Sequence, residues 1–333
     1  MVWCRPPPSV LTTSLHGTND WTGFEARDAM RESADESQEF EIEPLVGLNV
    51  GRFAPLTFPA YREFLIHEIK NPSPDVYALG ASRHHQPAGL LLAGDLEALG
   101  PTIRSIYVVP DSRRLGIGAQ LLWRAEKEAR ARNWSSLRGA FMEGPDALEG
   151  LRGLLAHSGW REPDLRTRLY KLSRRKIKEA RWLRRRRPLP ADFEYFRWTE
   201  LRPEERAKLI RVHQDTGWPK RDVFPFRYGE QFDEESSFGL RFQGDVVGWA
   251  VNHKLSSDTI RFTCSYLRED LQTLGRLVEV YAQSIDRILR HTHYDYAVFT
   301  VPVEYPAMIR FAERHLAPYA VGTKRSFGSV KAM

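Results

Sequence analysis

Cysteine is nearly missing from this sequence: there are two in 333 residues, Cys4 and Cys264, neither with a neighbour at metal-ligand spacing. That excludes a disulfide framework, and no zinc or other metal site is expected. Long hydrophobic runs are missing too. No stretch approaches the roughly 20 apolar residues of a membrane-crossing helix. The opening Met1-Val2-Trp3-Cys4-Arg5-Pro6-Pro7-Pro8 has neither the basic start nor the apolar core of a secretory signal, so the expected location is cytoplasmic. Nor does one charge dominate. Against 43 Asp and Glu, 49 Lys and Arg leave a net +6, which favours anionic partners (a nucleotide, an acidic peptide, nucleic acid) without choosing among them.

What is present is the composition of a globular protein, 42% hydrophobic and 28% charged, and length enough for two units of roughly 100–200 residues each. Residues 1–38 mix Pro, Ser, Gly and scattered acids without periodicity and read as a disordered leader. Regular patterning starts near Phe40. It breaks over 174–191, where Arg174, Arg175, Lys176, Lys178, Arg181 and the run Arg184-Arg185-Arg186-Arg187 precede Pro188-Leu189-Pro190. The expected organisation is a first domain over 39–173, a basic linker over 174–191 and a second domain over 192–333.

In the first domain a short strand, Glu41 to Leu45, leads to a helix from about Phe58, with Phe58, Tyr61, Leu65 and Ile69 at helical spacing. Strand-like runs at Asp75–Ala81 and Gly89–Ala93 flank Ser82-Arg83-His84-His85-Gln86-Pro87 as a hairpin. A third strand, Thr102–Val109, stops at Pro110. After a glycine-containing turn comes a helix with the apolar face Ile117, Leu121, Leu122, Ala125 and Ala129. Strand Ser136–Met142, helix Ala147–His157 and strand Arg166–Leu172 follow. Beyond the linker the order recurs: a strand from Phe193, helix Pro203 to about Gln214, strands Phe238–Phe242, Val246–Lys254 and Thr259–Leu267, helix Leu271–Leu289, strand Ala297–Val301 and helix Ala307–His315. An internal duplication explains the recurrence.

The chemistry concentrates in Ile106-Tyr107-Val108-Val109-Pro110-Asp111-Ser112-Arg113-Arg114-Leu115-Gly116-Ile117-Gly118-Ala119. A strand ends, a loop turns and a helix opens. A helix start exposes unpaired N–H groups, which together with the helix dipole favour a phosphate. Gly116 and Gly118 remove side chains so that a diphosphate can approach the main chain, while Arg113 and Arg114 add charge from the rim. The bonds would come mainly from the backbone amides of Leu115, Gly116, Ile117, Gly118 and Ala119.

This segment resembles motif A of the GNAT superfamily of N-acetyltransferases, a strand ending in a Gln/Arg-x-x-Gly-x-Gly/Ala loop that opens a helix. The resemblance covers about residues 40–173 well and about 192–333 weakly. It implies an α/β (α+β) fold of two tandem GNAT-type domains, each a mixed, mostly antiparallel twisted sheet flanked by helices. It also implies acetyl-CoA or another acyl-CoA as acyl donor. The strand before the loop would splay from its neighbour, so that the main chain of Tyr107, Val108 and Val109 pairs with the pantetheine arm like an added strand, and nearby N–H groups polarise the thioester carbonyl.

The reaction so implied is direct attack of an amine on a thioester. An alkylammonium, with a pKa of about 10.4, must lose a proton, and the departing thiolate benefits from gaining one, so a base and an acid are wanted. Here the chain departs from the family pattern. The strand Thr102-Ile103-Arg104-Ser105-Ile106-Tyr107 has no carboxylate, Leu155 stands where many members carry a tyrosine, and Gly159-Trp160 replaces a Gly-Phe pair. Glu143, at the end of the next strand, is the leading candidate for a water-linked base, against the reading of a solvated strand-end carboxylate. Tyr107 and His157 are the alternatives. Holding the reactants together also supplies rate.

The second half reads Gln272-Thr273-Leu274-Gly275-Arg276-Leu277 at the matching loop, with leucine in place of the second glycine. This degenerate copy is expected to bind acyl-CoA poorly, to complete the fold and to shape an acceptor cleft. The stretch Gly217 to Phe226 either lines an acceptor site or seals an interface, and Glu304 and Tyr305 are either site residues or an ordinary turn. The basic run is either a solvated helix face or a contact for nucleic acid or an acidic peptide. The expected function is an acyl-CoA-dependent N-acyltransferase delivering an acetyl or longer acyl group to a primary amine on a small molecule, peptide or protein. The alternative is a non-catalytic acyl-CoA-sensing or nucleic-acid-associated binding module.

Overall fold

The computed structural model describes residues 40–58, 61–62, 65–66, 75–95, 100–143, 147–185, 189–229, 231–272 and 275–333. The leader assigned to 1–38 lies outside them, as do Ile69, Arg186, Arg187, Thr273 and Leu274. The chain divides into two compact units, Met1–Leu165 with Phe327–Met333, and Arg166–Ser326.

The first unit is built on β1 (Phe40–Pro44), β2 (Val76–Arg83), β3 (Gln86–Gly94), β4 (Thr102–Val108) and β5 (Ser136–Met142), adjacent in that order. The pairs are antiparallel as far as β4, and β4 then pairs with β5 in parallel. The β2–β3 turn is His84-His85, both left-handed at φ 50 and 61, the two-residue geometry whose twist matches that of its strands. Alternation of side chains sorts the two faces of the sheet. Tyr77, Leu79, Ala81, Leu91, Ala93 and Ile103 pack with helix α1 (Ile117–Ala131). On the other face Val76, Ala78, Leu90 and Leu92 pack with Leu45, Val50, Phe53 and Leu65. Gly80 permits that second layer: a Cβ there would stand 2.6 Å from Leu45 and 2.8 Å from Phe53.

Helix α1 buries all five residues of its anticipated apolar face, and Tyr77 Oη donates to the Ala125 carbonyl at 2.7 Å. Of the anticipated helix near Phe58, residues 61, 62, 65 and 66 are helical. Helix α2 (Ala147–His157) follows β5 and buries Leu155.

The second unit contains β6 (Asp164–Ser173) from Arg166 onward, β7 (Phe193–Arg197), β8 (Phe238–Phe242), β9 (Asp245–Lys254), β10 (Thr259–Leu267), β11 (Tyr296–Pro302) and the start of β12 (Ala320–Ala332). Their spatial order is β12-β6-β11-β10-β9-β8-β7, with β10 and β11 parallel. Helices α3 (Pro203–Thr216), α4 (Arg276–His291) and α5 (Pro306–His315) complete it.

The element order of the first half, β1 to β5, α2 and β6, recurs as β7 to β11, α5 and β12, as a duplication requires. The closing strand of each repeat is nevertheless counted with the other unit. Residues 166–173 of β6 pair with β11, and β12 from Phe327 returns to the first unit beside β5. This is why the compact units are bounded differently from the sequence repeats.

The basic segment after β6 is not wholly solvated. Arg174 donates to the carbonyls of Ile288, Leu289 and Tyr294 at 3.1, 2.5 and 3.2 Å, Ile177 and Ala180 are buried, and Trp182 Nε1 donates to the His315 carbonyl at 2.9 Å.

Candidate functional site

Strands β4 and β5 pair only at Thr102↔Arg138 and Ile103↔Gly139, then part. On its other side β4 stays paired with β3 as far as Gly89↔Val108, and the Val109 N–H donates to the Ala88 carbonyl at 2.9 Å. In an antiparallel ladder, residues whose main chain bonds the partner alternate with residues whose main chain faces away. Tyr107 and Val109 therefore spend their main-chain groups on β3, and Ile106 and Val108 turn theirs toward the gap. The Val108 carbonyl is met by Arg113 Nε at 3.1 Å.

Beyond Val109 a single 3-10 turn, Pro110–Ser112, leads to Arg114 at φ 66 and Gly116 at φ 86. Gly116 is the N-cap of α1, and its carbonyl accepts the Gln120 N–H at 3.1 Å. The N–H groups of Ile117, Gly118 and Ala119 consequently have no acceptor within the helix.

The two glycines serve different ends. A Cβ on Gly116 would meet nothing within 4 Å, so glycine is favoured there by its left-handed φ. At Gly118 the backbone is ordinary helix, and a Cβ would sit 3.5 Å from Leu154 and 3.8 Å from Val108. Anything longer enters the space between the end of β4 and α2.

Tyr107 is 38% exposed, with the Arg113 guanidinium 5.9 Å from its ring centroid. Counting five residues on from the Thr102↔Arg138 pair reaches Tyr107 on one strand and Glu143 on the other, so these two stand at the tips of the diverging strands. Glu143 is half-buried, and His157 is exposed at the far end of α2. Leu155, at the family's tyrosine position, is a core residue. The fold thus brings Tyr107, Val108, Val109 and Arg113 to Ala119 to one corner, with Glu143 on the facing lip.

The described residues of the second unit repeat parts of this geometry. Strands β10 and β11 pair over Thr259–Phe262 and Tyr296–Phe299 before parting. Gly275, φ 76, caps α4, and Gln272 Nε2 donates to the Leu267 carbonyl at 2.7 Å, five residues back, as Arg113 does to Val108. Leu277, in the place of Gly118, packs against the core clusters around Phe299 and Val280.

Folding also joins two segments that are far apart in sequence. Tyr305 Oη donates to Asp222 Oδ2 at 2.6 Å, Tyr228 Oη donates to the Asp222 main-chain carbonyl at 2.7 Å, and the Lys220 ammonium lies 5.5 Å from the Tyr305 ring centroid. Burial, then the field of Asp222, raises the Glu304 carboxyl above its ordinary range despite Lys220 and Arg166. Burial, then the bond to Asp222, drives the Tyr305 phenol far up, and burial takes Tyr228 up to about 12. Two carboxyls, two phenols and an ammonium, with Asp222, Tyr228 and Tyr305 half-buried and Lys220 and Glu304 exposed at the edge, can hold a polar ligand and exchange a proton. The sequence offers the stretch Gly217 to Phe226, which contains Lys220 and Asp222, and the pair Glu304 and Tyr305 as separate candidates; only folding joins them, and Tyr228 carried no signal of its own. Among the described residues, no group of three or more His, Cys, Asp or Glu is placed to hold a metal ion.

Residues 43–140 match the family model of the acetyltransferase (GNAT) family. No curated protein matches the chain. Among solved structures, the chain is similar to a tandem GNAT protein from the clavulanic acid biosynthesis pathway, at 15% identity and TM-score 0.62, over 88% of this chain and 98% of that one. It is similar to a GCN5-related N-acetyltransferase from Sphaerobacter thermophilus at 13% identity and TM-score 0.59, over 88% and 96%. A third likeness is to a GCN5-related glucosamine N-acetyltransferase region of a fungal multi-domain β-N-acetylglucosaminidase, at 13% identity and TM-score 0.61, over 87% and 38%. No described helix is long and apolar enough to cross a membrane. Residues 43–140 thus match the acetyltransferase (GNAT) family, and the chain has, over most of its length, the tandem two-domain GNAT fold.

Proposed function

We propose that this chain is an acyl-CoA-dependent N-acyltransferase, acting in the cytoplasm, whose donor site is the corner of the first unit formed by Tyr107 to Val109 and Arg113 to Ala119. The observation that carries this reading is the meeting, at one place, of an open strand edge and three helix N–H groups without intrahelical acceptors. The main chain from Leu115 to Ala119 takes the pyrophosphate, with Arg113 and Arg114 adding charge. Ile106 and Val108 offer a strand edge to the pantetheine amides, and the Val108 N–H is aimed to polarise the thioester carbonyl.

A primary amine on a small molecule, peptide or protein then attacks. As the N–C bond forms and the C–S bond breaks, Glu143 accepts the ammonium proton through a water, and Tyr107 Oη gives one to the leaving thiolate. These two roles rest on their positions at the tips of the splayed strands. The test is thiol release from acetyl-CoA and from long-chain acyl-CoA against a panel of amines. Glu143→Gln lowers kcat by about 10²-fold or more and leaves the Kd for coenzyme A unchanged; an unaltered kcat removes Glu143 from the mechanism.

The core position of Leu155 and the carboxylate-free β4 favour a second reading, a binding module that retains the cleft without the chemistry. Saturable coenzyme A binding with no thiol release from any amine would select it.

A further inference from the structure

In the second unit, Arg197 at the end of β7 and Arg287 and His291 near the end of α4 line a cavity of about 320 Å³, together with Glu200 and Glu235. Other guanidiniums of this unit are held by carboxylates: Arg241 by Glu205 at 2.7 Å, Arg268 by Asp270 at 2.7 Å and Arg290 by Asp286 at 2.8 Å. Among the described residues neither Arg197 nor Arg287 is paired in this way. Arg287 donates through Nε to the Glu235 main-chain carbonyl at 3.2 Å and lies 5.7 Å from the Phe238 ring centroid, which leaves its outer fork uncommitted. The Glu200 carboxylate accepts the Arg197 main-chain N–H at 3.2 Å, so part of its acceptor capacity is spent on the backbone.

The electrostatics agree with this geometry. Burial, then the charge of Arg197, pulls the Arg287 guanidinium down from its ordinary range, with Glu235 and Glu200 opposing in part. Two cations within each other's field beside a cavity are relieved by an anion between them. A helix C-terminus attracts cations, which accounts for Arg290 and His291 on the last turn of α4. It does not account for Arg197, which comes from a strand.

We propose that this cavity binds a tetrahedral oxyanion, as orthophosphate or as the phosphomonoester of a small metabolite, between the guanidinium forks of Arg197 and Arg287. Planar forks suit bidentate contact with such an oxyanion. His291, one helical turn beyond Arg287, lies on the same helix face to supply a further N–H. The Glu200 and Glu235 carboxylates offer acceptors to hydroxyl groups on the rest of a monoester. The site is separate from the glycine loop of its own unit: Gly275 and Arg287 are about 18 Å apart along the helix axis at 1.5 Å per residue.

The experiment is calorimetric titration of the full chain with orthophosphate, and separately with glycerol 3-phosphate, at constant ionic strength in chloride. Saturable binding that weakens at least tenfold in Arg197→Gln/Arg287→Gln and is unchanged in Gly118→Leu is the expected result. The tighter of the two probes tells free phosphate from monoester. Absence of saturable heat at millimolar probe overturns the proposal. So does equal affinity in wild type and the double variant, or binding abolished by Gly118→Leu in its place. Should the double variant unfold, Arg197→Gln alone, at an exposed position, must weaken binding several-fold or the proposal fails.

Discussion

Replacing Gly118 with leucine writes the second unit's loop into the first and isolates the backbone contact on which the donor site depends. A Cβ at 118 is tolerated, since its nearest neighbours would be Leu154 at 3.5 Å and Val108 at 3.8 Å. The three further carbons of leucine must occupy the space between the end of β4 and α2. Charge-assisted hydrogen bonds are worth about 1.5–3 kcal/mol each. Holding a pyrophosphate away from two of the N–H groups of Ile117, Gly118 and Ala119 therefore costs about 3–6 kcal/mol, or roughly 10²- to 10⁴-fold in Kd. The fold should survive, because leaving glycine in a helix gains up to about 1 kcal/mol, which offsets the crowding against Leu154. Gly118→Ala is the graded control, stabilising the helix and weakening binding less. Gly116→Ala tests the other glycine: it adds no contact but forces an L-residue to φ 86, at about 1–2 kcal/mol. Calorimetric titration with coenzyme A, beside thermal unfolding, reads both quantities. A folded Gly118→Leu protein that binds coenzyme A within threefold of wild type refutes the reasoning.

Three further outcomes are expected. Lys331 donates to the Ser158 carbonyl at 2.7 Å and to the buried Glu126 carboxylate, which also accepts Trp160 Nε1 at 2.7 Å. Lys331→Met leaves that carboxylate with only the looser cation Arg130, at 4.0 Å, and lowers urea stability by about 3 kcal/mol, and the double change Glu126→Leu/Lys331→Met recovers much of the loss. In the second unit, burial would raise the Glu205 carboxyl, but hydrogen bonds from Arg241 and Arg202 overcome it and hold it at about 2 against an ordinary 4.5. Because the folded pKa is the lower one, this stability is present above pH 4.5 and drains away toward pH 2. It is on the order of 2–3 kcal/mol, and Glu205→Gln flattens that limb of the stability profile measured by denaturant titration. Finally, Asp222→Asn removes the negative field behind part of the rise at Glu304. The Glu304 carboxyl, followed by carbon NMR, should titrate lower in the variant; no movement would separate the two groups.

Much of the first unit was legible because its signals are local. Short apolar runs at Asp75–Ala81 and Gly89–Ala93, a period-3.6 face from Ile117 to Ala129, and a glycine loop between strand and helix each need only a few neighbouring residues to be read. The corner where Tyr107, Val108 and the Arg113 to Ala119 loop meet follows from the same contiguity. Which main-chain groups face the gap did not follow. That depends on the phase of the β3–β4 ladder, and it selects Ile106 and Val108. Strand β12 carries no local signal, because Ala320 to Ala332 is rich in Gly, Ser, Lys and Arg and is held by pairing with distant strands. For the same reason the basic segment read as a linker, although Arg174 spends its guanidinium on carbonyls more than a hundred residues away.

By itself the sequence determined the repeated order of elements, the strand-loop-helix at residue 116 and the loss of the second glycine at Leu277, since all of these are written in short-range spacing. Only the tertiary structure decided that the last strand of each repeat is counted with the opposite unit. It likewise decided that Asp222 meets Tyr305 and that Arg197 and Arg287 line one cavity. The physical reason is the same throughout. Local conformation is set by steric and hydrogen-bonding preferences within a turn or a strand, whereas the pairing of strand edges and charges is settled by which distant groups can be desolvated together.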